Sequence, residues 1–174
     1  TALIVSYAKT GDVVAARELF DRLRAKDMVG WTAIVKVFAQ TAQPKVALEY
    51  VEKRQNSGVN TDEVTLSSVI SACAQLGAIK YANWVRDFAE KSGFGLTDNV
   101  LVGSALIDMY SKCGSVEDAF KVFESMKDRN VFSYSSMIGG FSMHGCAREA
   151  IELFEKMMKV EVKPNKVTFV GVLA

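Results

Sequence analysis

The feature that most constrains this chain is that it aligns with itself. With Thr1, Thr32, Ser67, Ser104, Ser135 and Val170 as anchors, the intervals are 31, 35, 37, 31 and 35 residues. Fifteen residues after each of the first five anchors stands an alanine: Ala16, Ala47, Ala82, Ala119 and Ala150. Ten residues after them stand Gly11, Ala42, Gly77, Gly114 and Gly145, and six after stand Tyr7, Phe38, Cys73, Tyr110 and Phe141. Apolar pairs recur just past each anchor: Leu3/Ile4, Ile34/Val35, Val69/Ile70, Leu106/Ile107 and Met137/Ile138. A period of this length means one supersecondary unit stacked repeatedly, because a single unit is too small to bury its own apolar face.

The unit is predicted to be a helix–turn–helix. After Ser104, apolar residues at Leu106, Ile107 and Tyr110 have helical spacing. Gly114 falls where that helix must stop, since glycine accepts the left-handed conformation at a helix C-terminus. A second amphipathic run, Val116 to Met126, places Ala119, Val122, Phe123 and Met126 on one face. The invariant alanine lies where the two helices cross, and a methyl side chain allows close approach. Pro44 suits the first turn of a second helix, where its missing N–H costs little, and Pro164 lies in a turn between units. The third unit departs from the pattern: Arg86 stands where the others have Phe20, Val51, Phe123 and Phe154. Trp84, Val85 and Phe88 are expected to form its core face, with its extra residues in the loop from Gly93 to Asn99. The expected fold is an all-α helix–turn–helix repeat solenoid.

Composition narrows the function. About half of the residues are hydrophobic (49%), enough for a continuous core, and 21 basic against 20 acidic side chains leave a net charge of +1. Such a balance argues against indiscriminate polyanion binding but permits a local basic stripe. Three cysteines, Cys73, Cys113 and Cys146, without a Cys-x-x-Cys, imply reduced thiols rather than a disulfide scaffold. No apolar run approaches the length of a membrane span, and no signal or transit peptide is visible. The chain opens and closes inside the repeat pattern, which is expected of an internal piece of a longer protein.

The period near 35, the glycine and alanine offsets, and the run from Ala105 through Tyr110, Lys112, Cys113 and Gly114 to Ala119 resemble the pentatricopeptide repeat family over essentially the whole chain. The Trp-Leu-Gly and Tyr signature of the tetratricopeptide repeat is missing. The alternating unit lengths resemble the plant subclass that cycles short, ordinary and long repeats. On that register the units are 1–27 (short, partial), 28–62 (ordinary), 63–99 (long), 100–130 (short), 131–165 (ordinary) and 166–174 (the start of a long one).

The resemblance implies a right-handed superhelix that binds single-stranded RNA in mitochondria or chloroplasts, one nucleotide per repeat. In the alternating subclass the usual role is to specify sites of cytidine-to-uridine editing. It further implies that the fifth and last residues of a repeat read the base edge and the second packs beside the base. The implied reading pairs are Thr1/Asp27, Thr32/Asp62, Ser67/Asn99, Ser104/Asn130 and Ser135/Asn165; the packing residues are Val29, Val64, Leu101, Phe132 and Val167. The residue types suit the task. Short hydroxyl, carboxylate and amide groups supply donors and acceptors, and an unstacked base needs an apolar neighbour. The family's pairing rule implies a 5′-to-3′ preference of G-G-N-A-A.

Each of these residues also has a plainer reading. Without the resemblance, Thr32 and Ser104 look like helix N-caps, the Asp and Asn residues look like turn residues, and Val29 and Phe132 look like staple or core residues. The segment from Lys121 to Arg129 reads as a solvated helix face. Lys26, Lys112, Lys127 and Arg129 would hold phosphates if they lined one groove. His144 beside Cys146 is too closely spaced, and too isolated, for a metal pair. The zinc deaminase signature and the phosphate-binding Gly-x-x-x-x-Gly-Lys loop are both absent, so no enzymatic activity and no cofactor are expected. A second reading remains: a solenoid that docks a polypeptide, such as an editing-complex protein, on the apolar long unit around Trp84. Uncapped ends would also favour self-association.

Overall fold

A computed structural model describes residues 2–24, 26–41, 43–77, 79–95 and 98–173, and among these every regular element is an α-helix. In chain order they are α1 (Ala2–Thr10), α2 (Val13–Arg22), α3 (Met28–Gln40), α4 (Pro44–Asn56), α5 (Glu63–Leu76), α6 (Ile79–Lys91), α7 (Val100–Lys112), α8 (Val116–Ser125), α9 (Val131–Met143), α10 (Ala147–Lys159) and α11 (Lys166–Leu173). Among the described residues no helix is long and apolar enough to cross a membrane. The chain divides into two compact units, Thr1–Leu76 and Gly77–Ala174, the division falling within the unit expected at 63–99.

The turns explain the periodic glycine. Gly114 has φ +84°, and Gly11, Gly77 and Gly145 share that sign. A left-handed residue there folds the chain back, so that Ser115 N–H donates to Tyr110 O at 3.0 Å, as Asp12 does to Tyr7 (3.1 Å) and Cys146 to Phe141 (2.8 Å). The aromatic six residues past the anchor is therefore also the residue whose carbonyl closes the helix. Ala42 lies outside the described residues.

In the first unit α3 packs against α4 and α5, and α1 against α2 and α3. Ala16 and Ala47 are fully buried. The same unit holds an aromatic cluster. Phe20 meets Trp31 edge-on with ring centroids 4.8 Å apart, and Phe38 stacks on Tyr50 at 5.0 Å.

In the second unit α9 packs against α7, α10 and α11, and α7 against α8. Leu106, Ile107, Tyr110, Met137 and Ile138 form the core between first helices, and Ala119, Val122, Phe123 and Met126 turn inward from the second-helix segment. Ala119 and Ala150 are again buried. In α6, Val85 and Phe88 are buried as expected, whereas Trp84 is only half-buried, its ring stacked on Phe88 at 5.1 Å. Arg86 stays half-exposed beside Asp87.

Candidate functional site

Each first helix from α3 onward opens on one of the Asp or Asn residues, and each acts as its N-cap. The Oδ1 of Asp27 accepts from Gly30 N–H (2.7 Å), that of Asp62 from Thr65 (2.6 Å), and that of Asn99 from Val102 (3.0 Å). Asn130 accepts from Phe132 and Ser133 (2.9 and 3.2 Å), and Asn165 from Thr168 (3.0 Å). Thr32 and Ser104 are not caps, because their helices begin at Met28 and Val100. The Ser104 hydroxyl instead donates to Val100 O at 2.7 Å, and the Thr32 hydroxyl lies 2.9 Å from Met28 O.

A cap uses one head atom. Among the described residues the second head atom of Asp27, Asn99, Asn130 and Asn165 has no hydrogen-bond partner in the protein. Two residues past each cap stand Val29, Val64, Leu101, Phe132 and Val167, all exposed, between 56 and 63%. They are neither core nor staple residues: five apolar side chains face outward at one register position. The repeat thus presents a polar head and an exposed apolar side chain together at each helix start.

The pairs that the resemblance implies differ in how directly they meet. Thr32 Oγ1 lies 2.9 Å from Asp62 Oδ2. Ser135 reaches Asn165 through Thr168, whose hydroxyl is 2.6 Å from Ser135 Oγ and donates to Asn165 Oδ1 at 3.1 Å. Both serines of the second unit are covered, Ser104 at 6% and Ser135 at 4% exposure. Ser67 belongs to the first unit, its hydroxyl bonded to Val64 O at 3.1 Å, and Asn99 belongs to the second. Thr1 lies outside the described residues.

Asp62 is held ionised. Burial would raise its pKa, but the hydrogen bonds from Thr65 N–H, the Thr32 hydroxyl and Arg54 outweigh that and lower it. Arg54 is fully buried, with Nη2 on Asp62 Oδ2 at 3.2 Å and on Asn60 O at 2.6 Å.

Family models for the PPR repeat match residues 1–28 and 104–131, and a further PPR repeat model matches 129–173, together more than half of the chain. The chain belongs to the pentatricopeptide repeat family.

Curated pentatricopeptide repeat-containing proteins match along 99% of this chain. A mitochondrial one of Arabidopsis thaliana is 42% identical, and the mitochondrial OGR1 of Oryza sativa subsp. japonica is 40% identical. A chloroplastic one of Arabidopsis thaliana is 38% identical. The chain spans 26%, 30% and 23% of their respective lengths. Among solved structures, the pentatricopeptide repeat protein PPR10 from maize superposes with a TM-score of 0.75 at 23% identity, over 98% of this chain and 25% of that one. PPR10 in complex with an 18-nt psaJ RNA element gives the same TM-score at 25% identity, over 96% of this chain and 25% of that one.

Within these pentatricopeptide repeats, sequence reasoning missed Arg54, Thr65 and Thr168. Thr65 and Thr168 stand three residues past their caps and tie cap to hydroxyl. Arg54 precedes Asp62 by eight residues, where Met157 precedes Asn165 by the same interval, so a charge at an apolar repeat position was the available signal.

The four cations considered for phosphate contact have protein partners. Lys112 pairs with Asp108 at 2.7 Å and Lys127 with Asp98 at 2.6 Å. Arg129 donates to the Phe123 and Glu124 carbonyls, and Lys26 donates to Leu23 O while lying 5.3 Å from the centre of the Phe20 ring. His144 Nε2 is 2.7 Å from Ser111 O, an arrangement that ties the end of α9 to α7.

Proposed function

We propose that this chain reads single-stranded RNA, one nucleotide per repeat, as the recognition segment of a plant organellar RNA-editing or RNA-processing factor. The observation that carries the reading is the recurrence, at each helix start from α3 onward, of a capped Asp or Asn followed by an exposed apolar residue. Edge-reading of an unstacked base needs a fixed polar group and an apolar surface beside the ring. The likeness to PPR10, solved with an RNA element, and the mitochondrial and chloroplastic names of the relatives support the same reading. The chain's part is recognition; chemistry on the RNA falls to another domain or a recruited protein.

The pairs Thr1/Asp27, Thr32/Asp62, Ser67/Asn99, Ser104/Asn130 and Ser135/Asn165, taken by residue type alone, give the order G-G-N-A-A. A fluorescence polarisation titration against a GGNAA-containing RNA, a scrambled RNA and the DNA equivalent tests this. Selective binding to the first is expected. Equal binding to all three, or none, overturns the reading and leaves the polypeptide-docking alternative.

A further inference from the structure

The five capping residues are not equivalent. Of the five caps, among the described residues, Asp62 alone has its second head atom bound within the protein, by the Arg54 guanidinium and the Thr32 hydroxyl. The contacts form a closed ring. Arg54 Nη1 donates to Thr65 Oγ1 at 2.7 Å, Thr65 Oγ1 donates to Thr32 Oγ1 at 3.1 Å, Thr32 Oγ1 donates to Asp62 Oδ2 at 2.9 Å, and Arg54 Nη2 closes on the same Oδ2 at 3.2 Å. Arg54 Nη1 also lies 3.2 Å from Thr32 Oγ1, and Met28 O lies 2.9 Å from it. A hydroxyl has one proton and two lone pairs. Thr32 therefore faces two acceptors and two donors, and its capacity is used up before any ligand arrives.

A polar site rejects the wrong ligand chiefly because the wrong ligand leaves its groups unpaired. In this repeat the groups are already paired, so a mismatched base strands nothing and a matched base only exchanges one bond for another. Nor is Arg54 needed to fill space. Met157 occupies the corresponding position before Asn165 and is equally buried, while the Nε of Arg54 is buried without a partner. An ion pair that buries its guanidinium is weak grounds for stability. We propose that Arg54 is a specificity-determining residue that relaxes base selection in the Thr32/Asp62 repeat, leaving this slot permissive where residue types alone would specify guanine. The inference rests on the RNA-reading function proposed above.

The test measures the affinity of the 174-residue chain for RNAs with each base in turn at the second, fourth and fifth nucleotides. In the native chain, swaps at the second position should change affinity less than about threefold, against about tenfold at the fourth and fifth. Arg54→Met should restore about tenfold discrimination at the second position and leave the other two unchanged. Should Arg54→Met not fold, the double variant Arg54→Met/Asp62→Asn reproduces the Met157 and Asn165 combination and should likewise gain discrimination at the second position only. Guanine selectivity at that position in the native chain, or variants whose second-position profile is unchanged, would overturn the role of Arg54 while leaving RNA reading intact. Loss of binding to every RNA would instead overturn both.

Discussion

The Thr32 hydroxyl and the Asp62 carboxylate, 30 residues apart in the chain, meet at 2.9 Å, because the cap of α5 is set beside the second turn of α3. The same carboxylate holds the start of one helix, a hydroxyl on the neighbouring helix and a buried guanidinium.

Asp62→Ala should therefore cost far more than an ordinary lost cap. Asn130→Ala removes a capping interaction, about 1 kcal/mol. Asp62→Ala removes one as well and strands Arg54 without a counter-charge, which raises the loss to about 3 kcal/mol or more. Urea denaturation of the two variants should separate them clearly; equal losses would show that Arg54 finds compensation elsewhere.

The same group makes stability acid-sensitive with a definite sign. Asp62 titrates below its ordinary value of 3.8 in the fold. Its contribution is present above the unfolded pKa and fades as pH falls through the folded one. The stability gap between the native chain and Asp62→Asn should be flat above about pH 5 and close progressively in more acid solution. Denaturation midpoints across that range check this; a gap independent of pH would mean that the carboxylate charge is not what Arg54 binds.

Gly140 of α9 sits so close to Ser111 of α7 that a methyl there would overlap the serine Oγ and approach its Cβ to 3.1 Å. Ser111 is buried and bonded to Ile107 O, so it has little freedom to yield. Gly140→Ala should destabilise by about 1–3 kcal/mol. Ser111→Gly in the same chain should recover part of that, which a double-mutant cycle measures.

Phe132 gives the opposite signature. With its side chain exposed, Phe132→Ala should leave stability within about 0.5 kcal/mol of the native chain. If the ring stacks on a base, RNA binding should weaken by about 1–3 kcal/mol. Unchanged RNA affinity would remove Phe132 from the interface.

The scaffold was legible because its determinants recur at fixed offsets. Ala119 at the helix crossing, Gly114 at the turn and Tyr110 in the core each repeat along the chain, so every copy corroborates the others. The capping Asp and Asn residues were legible as positions, but without the family resemblance the capping role falls to Thr32 and Ser104. The apolar pattern locates a helix face and says little about where the first turn starts, and α3 and α7 begin at Met28 and Val100. Arg54 escaped because its meaning lies in partners from three segments, Thr32, Asn60 to Asp62 and Thr65, brought together only by folding. The partner of Lys127 was hidden for a similar reason, since Asp98 reaches it from a different loop.

The capping bonds have one more consequence. A free asparagine amide can rotate by half a turn and exchange its oxygen for its nitrogen, presenting an acceptor at one moment and a donor at the next. At Asn99, Asn130 and Asn165 the helix start demands the oxygen, so a half-turn would forfeit a cap at about 1 kcal/mol. The backbone behind each outward head thus biases its polarity about fivefold: asparagine there favours donating, and an ionised Asp27 in the same place can only accept.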